Sequence, residues 1–182
     1  MQRDLSRVLL TEKEIQARIR ELGHDITRDY VGRQLHLVGV LKGSVVFLTD
    51  LMRVIDLPLT IDFMVVSSYG DGEKTTGVVQ VIKDLSLPID GRDVLVIEDV
   101  LDTGLTLTYI MELLNAKNAE SVKVCTLLNK PGRRHPEVTL EPDYEGFVIP
   151  DEFVVGYGLD YAERYRNLPY VGVLDPRVYG GT

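Results

Sequence analysis

Three acidic side chains and a short turn rich in hydroxyl groups follow an apolar run in the middle of the chain. Residues 94–97 are Val, Leu, Val and Ile; Glu98 and Asp99 come next, and Asp102 follows after two further residues. The turn then supplies Thr103, Gly104 and Thr106. Carboxylates accept hydrogen bonds from sugar hydroxyls. The free N–H groups at the start of a helix, with hydroxyls beside them, bind phosphate, so this segment predicts a site for a phosphorylated sugar.

The elements around this segment place it where such a site is expected. An apolar strand without polar alternation is buried on both faces, as in a parallel sheet, and ligands bind beyond the carboxyl ends of such strands. The same patterns predict further strands at 35–41, 59–66, 77–82, 121–128, 146–148, 153–157 and 170–173, and helices at 12–30, 44–55 (capped by Ser44) and 103–116. We therefore predict an α/β fold, mainly a parallel sheet flanked by helices, and expect residues 179–182 to fray.

Composition excludes several classes of protein. The chain has 182 residues, a formal net charge of −8 and a pI near 4.9, which argues against a nucleic-acid partner. Cys125 is the only cysteine, so no disulfide can form within the chain, as suits a reducing compartment. No apolar stretch has the length of a membrane span, and the first residues lack the apolar core of a signal peptide. We expect a cytoplasmic protein without a membrane partner.

Other phosphate and carboxylate motifs fit less well. No glycine loop ends in Gly-Lys-Ser or Gly-Lys-Thr, as a P-loop would. Residues 156–158 (Gly-Tyr-Gly) are a fragment of a dinucleotide fingerprint without its third glycine. Asp99 and Asp102 are separated by two residues, whereas an aspartyl phosphatase has one between its paired acids. Simple capping of a helix could explain Asp102 alone, but three acids beside this turn favour a binding site.

Residues 97–107 resemble the donor-binding signature of type I phosphoribosyltransferases, and the run Glu-Asp-Val-Leu-Asp-Thr-Gly is similar to the hypoxanthine-guanine branch. Three further segments resemble family motifs in the family order: residues 41–44 the pyrophosphate loop, residues 67–70 the start of the mobile catalytic loop, and residues 150–157 with Asp160 and Arg166 the hood over the purine. Leu105 departs from the lysine that some members carry there. The resemblance implies one domain, with a core at about 11–145 and a small C-terminal hood at about 146–175 plus the N-terminal segment.

The resemblance also implies an activity. The 5-phosphoribosyl group of phosphoribosyl pyrophosphate (PRPP) would move to a 6-oxopurine, hypoxanthine first and guanine second, in a Mg²⁺-dependent reaction of purine salvage. A homo-oligomer, dimer or tetramer, is expected. Three alternatives stay open: a nucleotide-sensing regulatory protein on the same fold, a xanthine-preferring enzyme, and an enzyme for adenine or a pyrimidine. The acidic charge and the presence of Asp102 favour the enzyme, and Lys130 favours an oxopurine.

Roles at the sugar and the reacting bond follow residue by residue from the resemblance. Glu98 and Asp99 would hold the ribose hydroxyls, with Mg²⁺ close by. Asp102 would act at N7 of the purine, either as a general acid or base or by stabilising positive charge. The 5-phosphate would be bound by Thr103, Gly104 and Thr106.

The same resemblance assigns the pyrophosphate, the base and the lid. Lys42, Gly43 and Arg166 would bind pyrophosphate, and the peptide bond before Lys42 can be cis in this family. Lys130 would donate to the purine O6, Phe153 would stack on the ring, and the Val154 backbone would contact its edge. Asp160 would anchor a second Mg²⁺. Ser68 and Tyr69 would belong to a loop that closes as a lid.

Overall fold

The elements alternate as the sequence predicts for an α/β fold. The computed structural model describes residues 1–68 and 79–180. Its strands are β1 (Leu5–Leu10), β2 (Leu35–Leu41), β3 (Thr60–Ser68), β4 (Val79–Lys83), β5 (Asp93–Leu101), β6 (Ser121–Asn129), β7 (Tyr144–Val148), β8 (Val154–Val155) and β9 (Val171–Leu174). Its helices are α1 (Glu12–Asp29), α2 (Val45–Met52), α3 (Leu105–Asn115) and α4 (Pro176–Tyr179).

Two sheets organise these strands. The larger sheet has the order β4-β3-β2-β5-β6-β7, in which every pairing is parallel except that of β3 with β4. The smaller sheet, β1-β9-β8, is antiparallel and joins the two ends of the chain. Strand β5 lies between β2 and β6, so the carboxyl ends of these three strands meet at one edge. The mainly parallel sheet flanked by helices confirms the predicted α/β fold class.

Helix α1 shows how local sequence sets an element and its packing. Thr11 and Glu14 form a capping box, in which each side chain accepts a hydrogen bond from the backbone N–H of the other. An apolar residue then recurs every three or four positions and forms a stripe. Ile15, Ile19 and Ile26 on this stripe are buried in the largest core cluster. None of the helices within residues 1–68 and 79–180 combines the length and apolarity needed to cross a membrane.

Several predicted ends were wrong by a few residues. Strand β5 continues to Leu101, so Glu98 and Asp99 belong to the strand and do not follow it. Helix α3 begins at Leu105 and not at Thr103, because Gly104 adopts a left-handed φ of 79° that a right-handed helix cannot include. Helix α2 ends at Met52. Ser44 is its N-cap as predicted, but its hydroxyl donates to the Val40 carbonyl at 2.6 Å and not to the first turn of the helix.

The two ends of the chain differ from the predictions more strongly. Strand β1 was not predicted, since register irregularities against β9 break the two-residue alternation that identifies a strand. Strand β8 is only two residues long, because Gly156 and Tyr157 have positive φ values of 97° and 50°. Tyr179, expected in a frayed end, is the last residue of α4.

Candidate active site

The carboxylates of Glu98 and Asp99 in β5 are partly buried and have few hydrogen-bond donors. Oxygen Oε2 of Glu98 is buried and has no hydrogen-bond partner among residues 1–68 and 79–180. Burial, followed by the negative charges of Asp99 and Asp102, raises the pKa of Glu98 well above its usual value. Burial also raises the pKa of Asp99 to about 6, although the N–H of Val100 donates to it at 2.9 Å and opposes the shift. The arrangement would be stabilised by a cation or by hydroxyl donors.

The segment after β2 lies directly against these acids. A Cβ atom built on Gly43 would fall 1.7 Å from Oδ2 of Asp99, so only glycine allows this approach. The peptide bond Leu41-Lys42 is cis, as the resemblance implied. The Lys42 ammonium donates to Oε1 of Glu163 at 3.1 Å, and both side chains are exposed. The structure therefore brings predicted pyrophosphate and ribose residues together.

The turn between β5 and α3 offers backbone donors. Gly104 is the N-cap of α3, and no side chain caps the first turn. The first N–H groups of a helix have no partner inside the helix, so an uncapped first turn is an anion site. Oδ1 of Asp102 accepts a hydrogen bond from the N–H of Thr103 at 2.6 Å, which fixes the carboxylate beside this turn.

Two neighbouring cavities share Val100 and Asp102. The first has a volume of about 250 Å³ and is lined by Asp99, Val100, Asp102, Lys130, Phe153, Val154, Leu159 and Asp160. The second has a volume of about 160 Å³ and is lined by Glu98, Val100, Leu101, Asp102, Gly104, Thr106 and Leu107. Asp102 thus lies between a cavity with aromatic and cationic walls and a cavity at the start of α3.

Lys130 and Phe153 form one side of the first cavity. The half-buried Lys130 donates to the carbonyl of Glu152 at 2.7 Å, and burial lowers its pKa. The Phe153 ring is 40% exposed, so it is available to a ligand. Tyr179 stacks on Phe153 with ring centroids 4.9 Å apart, and Tyr161 meets it edge-on at 5.7 Å.

Asp160 and Arg166 form an ion pair beside the first cavity. Nη2 of Arg166 lies 2.8 Å from Oδ1 of Asp160, and Nη1 donates to the carbonyl of Gly158 at 2.8 Å. A Cβ atom on Gly158 would lie 2.1 Å from the carbonyl oxygen of Gly43. The loop that carries Asp160 therefore packs against the segment after β2.

Nine of the predicted site residues line these cavities, whereas Lys42, Gly43 and Arg166 line neither and lie in segments that contact Asp99 or Asp160. Thr103 is not among the residues that line either cavity. Tyr69 and the side chain of Ser68 lie outside the described residues, so the predicted lid stays a prediction. Within the described ranges, no group of three His, Cys, Asp or Glu side chains could hold a metal ion by itself. A Mg²⁺ ion that keeps waters and takes substrate oxygens needs fewer protein ligands.

Sequence reasoning assigned no role to four residues that line the cavities, Val100, Leu101, Leu107 and Leu159, and it also missed Arg134 and Tyr179 nearby. Val100 and Leu159 are ordinary apolar residues, and their place in a cavity wall depends on the fold. Tyr179 reaches Phe153 from the far end of the chain, which no local pattern reveals. Arg134 follows Lys130 closely in a polar turn, and that proximity was the one available signal.

The chain is an α/β protein with a mainly parallel sheet, and its candidate ligand site lies at the carboxyl edge of that sheet. Within that class, the chain belongs to the phosphoribosyl transferase domain family, whose model matches residues 8–162. It is 55% identical over 179 residues to the hypoxanthine-guanine phosphoribosyltransferase of Staphylococcus aureus, a match that covers 98% of this chain and 99% of that relative. It is equally similar to the bifunctional protein TilS/HprT of Listeria monocytogenes, but spans only 27% of its length.

Solved structures agree with this assignment. A crystal structure of a hypoxanthine phosphoribosyltransferase from Staphylococcus aureus matches with a TM-score of 0.96 and 55% identity, over 100% of this chain and 97% of that one. A hypoxanthine-guanine phosphoribosyltransferase from Bacillus anthracis matches with a TM-score of 0.87 and 43% identity, over 94% and 99%. At these identities the likeness extends beyond the fold to the family.

Proposed function

We propose that the chain is a purine salvage enzyme that transfers the 5-phosphoribosyl group from PRPP to a 6-oxopurine. Hypoxanthine is the first acceptor and guanine the second, and the products are IMP or GMP and pyrophosphate. One observation carries the proposal: Asp102 lies between two cavities, one with Lys130 and Phe153 and the other at the uncapped start of α3. The names of the relatives that match nearly the whole chain support it.

The second cavity suits the phosphoribosyl group. The free N–H groups at Gly104 and the first turn of α3, with the hydroxyl of Thr106, bind the 5-phosphate. Thr103 contributes its hydroxyl, because its N–H already donates to Asp102. Glu98 and Asp99 accept hydrogen bonds from the ribose hydroxyls, which supplies the donors that the buried Oε2 of Glu98 lacks.

Mg²⁺ fits the same acids and, when bound with PRPP, neutralises charge on the pyrophosphate leaving group. Glu98 and Asp99 would hold the ion. Burial, with the negative charge of Asp102, raises the pKa of each, and a bound cation would offset both effects. Asp160, held by Arg166, would hold a second ion. Lys42, Gly43 and Arg166 would bind the pyrophosphate, Gly43 through its N–H.

The first cavity suits the purine. Phe153 stacks on the base, the backbone of Val154 contacts its edge, and Lys130 donates to O6, which selects an oxopurine over the amino group of adenine. The bond from C1 of the ribose to pyrophosphate breaks, and a bond from C1 to N9 of the purine forms. Asp102 acts at N7, where it accepts the proton that the base loses or stabilises positive charge in the transition state.

A panel of acceptors tests the reaction. The protein is incubated with PRPP and MgCl₂ and with hypoxanthine, guanine, xanthine, adenine or uracil in separate reactions, and nucleotide formation is followed. Turnover of hypoxanthine that stops when a chelator removes Mg²⁺ is the expected result. Preference for xanthine would reassign the acceptor, and exclusive use of adenine would overturn the role of Lys130. No turnover despite binding of PRPP or IMP would favour the regulatory alternative.

The remaining expectations are part of the same proposal. We expect a homo-oligomer, dimer or tetramer, in the cytoplasm, without a nucleic-acid or membrane partner; the net charge of −8 supports the absence of a nucleic-acid partner. Light scattering after size exclusion measures the oligomeric state, and a monomer at micromolar concentration would contradict the expectation.

A further inference from the structure

Three consecutive backbone carbonyls at the end of β5 accept hydrogen bonds from one short segment, residues 130–135. The N–H of Lys130 donates to the carbonyl of Leu101 at 2.9 Å, and the N–H of His135 donates to that of Thr103 at 3.0 Å. Between them, Nη1 of Arg134 donates to the carbonyl of Asp102 at 2.7 Å. The orientation of the whole turn thus depends on this segment, and Arg134 supplies the one side-chain contact of the three.

The peptide group that Arg134 holds is the one that orients the Asp102 carboxylate. The carbonyl of Asp102 and the N–H of Thr103 belong to the same planar peptide group. That N–H donates to Oδ1 of Asp102 at 2.6 Å. A peptide plane that rotates carries its N–H with it, so a donor fixed on the carbonyl side also fixes the hydrogen bond on the carboxylate side.

Arg134 is itself held in place by polar contacts. Its Nη2 donates to Oδ1 of Asn129 at 2.6 Å, and Nδ2 of Asn129 donates to Oε2 of Glu145 at 2.5 Å. Asn129 is only 3% exposed, so this arrangement is shielded from water. The Cδ atom of Arg134 packs beside Gly104, 3.4 Å from the place of a Cβ atom there.

One nitrogen of the Arg134 guanidinium lacks a hydrogen-bond partner in the part of the chain that the structure describes. This nitrogen, Nε, is buried and has no hydrogen-bond partner among the described residues. An unpaired buried N–H destabilises a fold. Of the two paired Nη groups, Nη1 donates to the turn at the carbonyl of Asp102, whereas Nη2 donates to Asn129 and holds the guanidinium in place.

We infer that Arg134 is a positioning residue for Asp102: it fixes the peptide group that aims the Asp102 carboxylate into the purine cavity. The inference rests on the proposed function, because it assumes that Asp102 acts on the base. The contacts run from Glu145 through Asn129 and Arg134 to that peptide group, and they link β7, β6 and the end of β5. Lys130 lies four residues before Arg134, so one segment positions both sides of the purine cavity.

A double-mutant cycle tests this inference. Arg134→Met keeps an unbranched apolar stem beside Gly104 and removes all the donors, while Arg133→Met removes the same charge from the same turn. Arg133 has only an exposed ion pair with Asp151 at 3.7 Å, so it is the matched control. We expect Arg134→Met to lower kcat about tenfold or more, since misplaced catalytic groups lose rate steeply, and Arg133→Met to change it less than about twofold. The KM for hypoxanthine should stay within about threefold of the wild-type value.

The cycle then asks whether Arg134 acts through Asp102. In an Asp102→Asn background, Arg134→Met should change the residual kcat less than about twofold, because no carboxylate remains to be aimed. Arg134→Lys, which keeps one donor for the Asp102 carbonyl, should recover part of the rate and serves as the second variant if Arg134→Met does not fold. Equal losses in both backgrounds, or equal rates for Arg134→Met and Arg133→Met, would overturn the inference.

Failure of the proposed function has a different signature. If the wild-type protein turns over no 6-oxopurine, the proposed function fails before any variant is compared. If the wild type is active and Asp102→Asn is not, but Arg134→Met behaves like Arg133→Met, only the positioning role is lost.

Discussion

Carboxylates in two strands of this protein, Asp62 in β3 and the pair Glu98 and Asp99 in β5, have opposite electrostatic environments. Asp62 in β3 is 7% exposed and accepts hydrogen bonds from the N–H groups of Phe63 at 2.7 Å and Ser86 at 2.5 Å, and from the ammonium of Lys83 at 3.2 Å. Burial alone would raise its pKa, but these donors lower it to about 2.

The acids at the end of β5 lack such donors. Burial raises the pKa of Asp99 to about 6, although the N–H groups of Val100 and of Asp99 itself and the charge of Arg166 oppose the shift. Among the described residues, Oε2 of Glu98 is buried without a partner. The two regions therefore differ in their supply of hydrogen-bond donors. A fully satisfied carboxylate such as Asp62 stabilises the fold, whereas an unsatisfied cluster in a cavity marks a place for a ligand.

The largest expected effect is on activity, through the close approach of Gly43 to Asp99. Gly43→Ala places a methyl group where Oδ2 of Asp99 now lies, 1.7 Å from the new Cβ. We expect kcat/KM for PRPP to fall by about 100-fold or more, because the carboxylate and the pyrophosphate segment must both move. The control is Gly132→Ala, since a Cβ there meets no atom within 4 Å. Similar kcat/KM values for Gly43→Ala and Gly132→Ala would show that the close contact of Gly43 with Asp99 is not needed for activity.

Removal of the Asp62 charge should lower stability and leave the site unchanged. Asp62→Asn loses a charged acceptor of several donors, and we expect the free energy of unfolding in urea to fall by about 2 kcal/mol. Turnover of the folded protein should match the wild type, because Asp62 lines neither cavity. A stability loss below a few tenths of a kcal/mol would show that the donors around Asp62 do not stabilise the fold, and the contrast with Glu98 and Asp99 would fail.

Removal of the Glu98 charge should raise stability and lower turnover, the opposite of what we expect for Asp62. Glu98→Gln replaces an unpaired buried carboxylate with an amide that can donate to Asp99 or Asp102, so at pH 8 we expect the free energy of unfolding to rise by up to about 1 kcal/mol. Turnover with PRPP should fall, because the ribose and Mg²⁺ lose a ligand. A destabilised Glu98→Gln protein would contradict the contrast with Asp62.

The smallest effect is the pH dependence of stability. Because the folded pKa of Asp99 is raised from 3.8 to about 6, the folded state binds more protons than the unfolded state in this range, so stability should fall as pH rises from about 4 to about 6. The lowered pKa of Asp62 acts oppositely, and its stabilisation should be lost as pH falls from about 4 to about 2. Thermal unfolding in ligand-free buffer measures both; Asp99→Asn should reduce the slope in the upper range, where the raised pKa of Glu98 still contributes, and leave the lower range unchanged.

The sequence predicted the parts that depend on local patterns. Strand β2 has the predicted bounds, and α1 ends one residue before its predicted end at Tyr30. The acids of β5 and the turn at Gly104 were found because residue type and spacing alone indicate their chemistry.

What the sequence did not predict depends on contacts between distant segments. Arg134 reaches the Asp102 carbonyl across 32 positions, and Tyr179 packs on Phe153 only because β9 returns the chain to the site. Some of the hydrogen bonds that Asp62 accepts likewise come from distant residues, Lys83 and Ser86. Periodicity carries no information about such pairs.

The most direct measurement of the central claim, that the unsatisfied end of β5 is a phosphoribosyl transfer site, is nucleotide formation from hypoxanthine and PRPP by Asp102→Asn. The control is Asp90→Asn, an exposed acid before the opposite end of β5. We expect Asp102→Asn to lose about 100-fold or more in kcat while it still binds PRPP, and Asp90→Asn to match the wild type. Equal turnover by all three proteins would contradict the assignment of Asp102 and, with it, the proposed site.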